Sequence, residues 1–274
     1  MRPYIINMRN IRLTIQYDGT DFSGYEIQPD KKSVRGEIEK ALSALFKKEI
    51  SINAVSRTDS KVHAIAQIVQ FQIDHPIEFS KIPKVLNTYL PDDIRAVDSK
   101  EIKNSENVRY FVKNKEYQYL IYNGTKFSPF FRNYVWHVKQ KLDIKAMKSA
   151  AKFFKGKHDF SSFCAARSFL AQRIAKKLGK PQEHNFLRTI YKVTIKNKKI
   201  NLWDGCALDV IAITFKGDGF LYKMVRNMVG TLVDVGLKKK KPFEIKEIIS
   251  KKQRKFAGRC APPQGLCLIK VNFK

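Results

Sequence analysis

Acidic residues are scarce in this chain. Its 25 Asp and Glu face 53 Lys and Arg, a formal net charge of +28 at pH 7, and a surface of that sign attracts polyanions through screened solution. Nucleic acid is therefore the first partner to consider. The run Lys238-Lys239-Lys240-Lys241 reads as a solvated stretch following a helix. Cysteine is also rare. Cys164, Cys206, Cys260 and Cys267 form no Cys-x-x-Cys pair and have no histidines at zinc spacing, so they read as reduced thiols rather than metal ligands. No metal or cofactor is signalled. Long hydrophobic runs are missing, and the apolar patch around Tyr4, Ile5 and Ile6 is too short for a signal peptide or a membrane span. The expectation is a cytoplasmic protein with no membrane partner. No tandem repeat is visible.

What is present describes a folded protein: 43% hydrophobic and 12% aromatic residues suffice for a substantial core. At 274 residues the chain sits at the upper edge of what one core serves, which favours two lobes. The polar stretch 103–107 marks a boundary, giving an N-terminal lobe of residues 1–106 and a C-terminal lobe of residues 107–274. Both read as strands with helices on one side, an α+β class.

Residues 1–10 read as a loose lead-in. The alternation over 11–17 predicts a half-buried strand ended by Asp18-Gly19. Ser33 is a good N-cap for a helix running toward Lys47, with Val34, Ile38, Leu42 and Leu45 on one face. A helix through Ile82, Val85, Leu86 and Leu90 is closed by Pro91, and a strand follows over 94–102. Asp143 caps a helix through Met147, Ala150 and Phe154 that ends at Gly156. Residues 165–185 read as a long surface loop. Strands over 191–195 and 208–215 pair across a 196–205 connection. A helix over 220–232 has the apolar stripe Leu221, Val225, Met228 and Leu232, and a last helix covers 242–251.

Between the apolar lead-in of Ile50, Ile52 and Val55 and the strand 65–73 lies a polar island, Ser56-Arg57-Thr58-Asp59-Ser60-Lys61-Val62-His63. It has the pattern of a catalytic loop slung between two strands. Taken alone, such a run is most often a solvated turn. On a strand, Tyr117, Tyr119 and Ile121 share one face. Tyr119 and Tyr122 read as buried packing tyrosines.

Arg57-Thr58-Asp59-x-x-Val62-His63-Ala64 resembles the Arg-Thr-Asp-x-Gly-Val-His-Ala signature of the tRNA pseudouridine synthase A family. The resemblance recurs in order along the chain: residues 17–28, where Tyr25 stands for the usual Trp and Glu26 for the usual Gln; Leu86-Asn87-x-x-Leu90-Pro91-x-Asp93; Lys115-x-Tyr117-x-Tyr119; Gly156-x-His158-Asp159-Phe160; Met224-Val225-Arg226-Asn227-x-Val229-Gly230; and Ala261-Pro262-x-x-Gly265-Leu266-x-Leu268.

The resemblance implies a two-lobed pseudouridine synthase fold, with antiparallel or mixed sheets, helices packed on one side and an active-site cleft between the lobes. It implies isomerisation of uridine in the anticodon stem-loop, at tRNA positions 38, 39 or 40, by a homodimer without cofactor. Asp59 is then the catalytic residue and must be ionised. Arg57 inserts where the flipped base leaves, Tyr117 stacks on the uracil, and Arg226 pairs with the carboxylate. Whether Asp59 attacks the ring, captures C1′ or takes a proton stays open. The signature is broken at Lys61 and Ser56, both glycine in the family. If position 61 needs a positive φ, lysine strains the loop by about 1 kcal/mol or more. A catalytically weak tRNA-binding protein or chaperone is the alternative reading.

Overall fold

The computed structural model describes residues 8–165 and 185–274. Nearly all of the loop expected at 165–185, and most of the lead-in at 1–10, lie outside the described residues. The chain divides into two compact units, Met1–Lys113 with Cys267–Lys274, and Asn114–Leu266. The sequence boundary at 106/107 falls before this division, and the C-terminal strand joins the first unit.

In the first unit β1 (Arg9–Tyr17) runs antiparallel to β4 (Ile94–Ile102) on one side and to β3 (His63–Ile73) on the other. The short β2 (Asn53–Ala54) pairs antiparallel with β3, and β10 (Leu266–Phe273) pairs with it in parallel at His63 and Ala64. Ile11, Leu13 and Ile15 are fully buried on β1, as the alternation predicts. The expected helix after Ser33 is α1 (Val34–Phe46), and the Ser33 hydroxyl accepts from the Gly36 amide at 3.2 Å. The helix expected at 82–90 is only α2 (Ile82–Leu86), preceded by a 3-10 turn over Phe79–Lys81.

The polar stretch 103–107 is tied down rather than loose. The Gln70 side chain donates to Asn10 Oδ1 and to the Glu106 carbonyl, both at 2.8 Å, and accepts from the Val108 amide at 2.9 Å. The Asn10 side chain donates to the carbonyls of Lys103 at 2.9 Å and Glu106 at 3.0 Å. A buried amide network satisfied in this way rigidifies the segment it touches.

The second unit is built on antiparallel strands in the order β5 (Val112–Tyr122), β9 (Cys206–Gly217), β8 (Leu187–Trp203) and β7 (Gly156–Asp159), with β6 (Trp136–His137) in parallel beside β5. Among the described residues its helices are α3 (Ile144–Ala151), α4 (Met224–Gly236) and α5 (Glu244–Lys251). Asp143 caps α3, accepting from the Ala146 amide at 2.9 Å.

Two expectations differ here. The 196–205 connection is strand: β8 continues to Trp203 and turns through Asp204-Gly205, a hairpin signal masked by the exposed lysines around it. The helix expected at 220–232 begins at Met224, because Lys223 adopts a left-handed φ of 58°; Leu221 precedes it. Among the described residues no helix is long and apolar enough to cross a membrane.

Candidate active site

The loop 55–62 leaves β2 and returns into β3. Its departure is held by the Val55 amide on the Ile68 carbonyl at 3.0 Å and by the Gln67 side-chain amide on the Ser56 carbonyl at 2.7 Å. The rest is clasped by the segment after β1. Tyr17 Oη and Thr58 Oγ1 share a buried hydrogen bond of 2.7 Å. The Tyr25 amide donates to the Thr58 carbonyl at 3.1 Å. The Phe22 carbonyl accepts from the Ser60 hydroxyl at 3.0 Å and the Lys61 amide at 3.3 Å. His63 Nδ1 accepts from the Gly19 amide at 3.0 Å. The approach is so close that a Cβ on Gly19 would stand 2.1 Å from the Val62 carbonyl oxygen, so only glycine fits.

Asp59 therefore sits, half-buried, at the crest of a loop whose backbone is fixed on both sides. Its own carbonyl accepts from the Val62 amide at 3.2 Å, closing a turn. Residues 17–25 were legible as part of the resemblance but not as the clasp. The signal that finds them is the Tyr17, Gly19 and Gly24 pattern, whose meaning depends on contacts some 40 positions away.

Lys61 takes φ of 63°, the left-handed conformation that the family glycine at this position anticipates. Lys61→Gly should raise stability by up to about 1 kcal/mol, the relieved strain less the added freedom of glycine in the unfolded chain. Chemical denaturation checks this, and a loss of stability would contradict it.

The Tyr25 side chain, standing for the family Trp, is 1% exposed and its hydroxyl has no hydrogen-bond partner. Burial pushes this phenol far above its usual range, with Glu26 adding to the effect. An unsatisfied buried hydroxyl costs about 1–3 kcal/mol. Tyr25→Phe should accordingly leave stability unchanged or raise it by about 1 kcal/mol in the same assay; a marked loss would reveal a partner for the hydroxyl.

Arg57, two positions from Asp59, extends outward with its side chain 66% exposed, and its Nε lies 2.7 Å from Glu26 Oε1. Glu26 also meets Arg35 at 3.1 Å. The departure from the family Gln thus places a carboxylate on the arginine, a contact that sequence reasoning did not foresee.

Tyr117 and Arg226 belong to the second unit. Tyr117 is buried on the β5 face it shares with Tyr119 and Ile121, and its ring meets Phe220 edge-on at 5.2 Å. Tyr119 is fully buried and donates to the Pro262 carbonyl at 2.7 Å, as expected of a packing tyrosine. Arg226 lies in the first turn of α4. Its Nε donates to the Ala261 carbonyl at 2.8 Å, and its own carbonyl accepts from the Ala261 amide at 3.1 Å. The neighbouring Asn227 is buried; its side chain donates to the Phe163 carbonyl at 2.6 Å and accepts from Arg254 at 2.9 Å. The Ala261-Pro262 segment therefore orients both the arginine and Tyr119, a role its motif did not disclose.

In this chain a carboxylate stands on a loop braced through its backbone, and an arginine in the first turn of a helix is fixed by a backbone carbonyl. The family model described as tRNA pseudouridine synthase matches residues 13–110 and 150–274. The tRNA pseudouridine synthase A of Thermoanaerobacter sp. (strain X514) is 39% identical over 97% of this chain and 100% of its own length. The tRNA pseudouridine synthase A 2 of Clostridium perfringens is 40% identical, and the tRNA pseudouridine synthase A of Brevibacillus brevis 38%, each over 97% of this chain and all of its own. The chain belongs to the tRNA pseudouridine synthase family and is an enzyme of the isomerase class.

Proposed function

We propose that this enzyme converts uridine to pseudouridine in the anticodon stem-loop of tRNA, at positions 38, 39 or 40, acting as a cytoplasmic homodimer without a cofactor. The reaction breaks the bond from N1 to C1′, turns the base, forms a bond from C5 to C1′, gives the C5 proton to solvent and leaves N1 carrying a proton in its place, so that substrate and product are isomers. The observation that carries the reading is the clasp on the Asp59 loop. A carboxylate on a backbone fixed by Tyr17, Phe22, Tyr25 and Gly19 pays little reorganisation when the nucleoside arrives.

A stacked uridine is out of reach of such a carboxylate and must be flipped, at a cost of a few kcal/mol. Arg57 is suited to fill the space the base leaves. Its pairing with Glu26 is exposed, and pairs of that kind hold by only about 0–1 kcal/mol, so the guanidinium can exchange it for RNA. Tyr117 stacks on the uracil, where base-on-aromatic stacking contributes roughly 1–3 kcal/mol, and Arg226 supplies positive charge to the reaction.

Carbodiimide modification and primer extension on an unmodified tRNA transcript treated with the enzyme tests the assignment. New stops confined to the anticodon stem-loop are expected. Stops elsewhere would refute the choice of substrate region, and none at all would favour the tRNA-binding alternative.

A further inference from the structure

The lysine run after α4, read from the sequence as merely solvated, borders a cavity of about 750 Å³ in the second unit. Leu142, Gly236 and Leu237 contribute apolar surface to it. Lys141, Lys145, Lys238, Lys239 and Arg259 also line it, and Asp143 is its single carboxylate. That carboxylate is engaged in capping α3 through the Ala146 amide. None of the five cations takes part in the ion pairs found among the described residues.

Three details make this more than a charged surface. Arg259 holds its guanidinium carbon 4.8 Å from the centre of the Trp136 ring, which fixes one face of the group and leaves its N–H edge for an acceptor. Lys238 sits at φ of 60°, the left-handed conformation that Lys47 and Lys252 also take after their helices, which turns the chain so that Lys238 and Lys239 both line the cavity. And like charges gathered round one cavity repel each other until an anion neutralises them.

At its Gly236 wall the cavity is set apart from Arg226, while Arg259, two residues before the Ala261 that holds Arg226, lines another part of it. Gly236 stands about 15 Å along α4 from Arg226, at ~1.5 Å per residue. A ligand at the Gly236 wall is therefore a different part of a polyanion from the nucleoside that Arg226 serves. The four lysines are exposed and line a cavity of about 750 Å³, far more than one tetrahedral anion fills, which suits successive phosphates of a chain.

We infer that this cavity binds backbone phosphates of the substrate RNA, anchoring the nucleic acid at a second point. The inference rests on the reading of the substrate as RNA given above. The test compares Lys141→Gln/Lys145→Gln/Lys239→Gln with a control of equal charge change, Lys40→Gln/Lys48→Gln/Lys100→Gln; all six side chains are exposed, so neither set disturbs the core. The dissociation constant for an unmodified tRNA transcript is measured over a range of chloride concentrations.

The cavity triple should bind about tenfold more weakly at low salt, and its slope of log affinity against log salt should be shallower by about 2 to 3, one increment per lost phosphate contact. The control should change the slope by less than about 1. Equal effects from both triples, or a wild-type slope in the cavity triple, would overturn the site. Inorganic phosphate replacing chloride at constant ionic strength should weaken tRNA binding more on wild type than on the cavity triple, because it competes for the same cations. Equal weakening of both would show that tRNA does not use the cavity and would overturn the RNA assignment.

Binding is read without turnover, which separates the two failures. A wild type that makes no pseudouridine, yet loses its slope in the triple, would sink the reaction and leave the site standing. An active enzyme whose slope ignores the triple would do the reverse.

Discussion

Asp59→Ala is expected to lower pseudouridine formation at least about a thousandfold and to leave the affinity for tRNA within a few-fold. The two effects separate because of how the loop is built. The bonds that brace it run through the Thr58 carbonyl and hydroxyl, the Ser60 hydroxyl, the Lys61 amide and the Asp59 carbonyl, and alanine preserves every one. What it removes is the half-buried carboxylate. Measuring product by mass spectrometry of digested tRNA, with binding by filter retention, checks both halves. Substantial product from the variant would make the assignment of the catalytic group wrong. A parallel collapse of binding would mean that the loop, rather than the chemistry, had been damaged.

The largest effect on stability is expected at Gly230. A Cβ there would lie 1.7 Å from the Arg259 carbonyl oxygen and 2.8 Å from its carbon, backbone atoms that cannot swing aside as a side chain would. α4 offers no room to retreat, since its residues are buried on nearly every face. Gly230→Ala should therefore cost about 3 kcal/mol or more, read as a lowered denaturation midpoint. The strain also falls on the segment that holds Arg226, the arginine proposed to serve the reaction, because Ala261 both donates to and accepts from it. The residual folded enzyme should turn over more slowly than wild type at the same folded concentration. A midpoint within about 1 kcal/mol of wild type would show that 259–261 stands farther from the helix than this packing requires.

These two positions also show where sequence reading succeeds and where it stops. Local chemistry was legible: Ser33 and Asp143 announce their helices because a hydroxyl or carboxylate accepting from an amide three residues on is written within one turn. The Asp59 loop was legible through its motif, and Lys61 drew notice because a lysine stood where a glycine was expected. The positive φ at that position bears out the conditional expectation.

What was hidden depends on residues distant in the chain. Gly19 looks like an ordinary turn glycine until the Val62 carbonyl is seen against it, and Gly230 like an ordinary helix glycine until Arg259 is. The polar strand β8 hid for another reason: its exposed lysines carry no apolar alternation, so only the Asp-Gly turn marked the hairpin. Gln70 and Asn10 gave no sign that they would stitch down a stretch resembling a linker, since a buried amide network is defined by its partners.

Isomerisation of uridine to pseudouridine replaces the C5–H bond with a bond from C5 to C1′, so turnover must release the C5 hydrogen. The most direct test is incubation of the wild-type enzyme with tRNA carrying tritium at C5 of its uridines, counting tritium released to water alongside pseudouridine formed. One tritium released for each pseudouridine is expected, with no free uracil. Free uracil retaining its tritium would reveal a hydrolase, and the absence of any release would contradict the account outright.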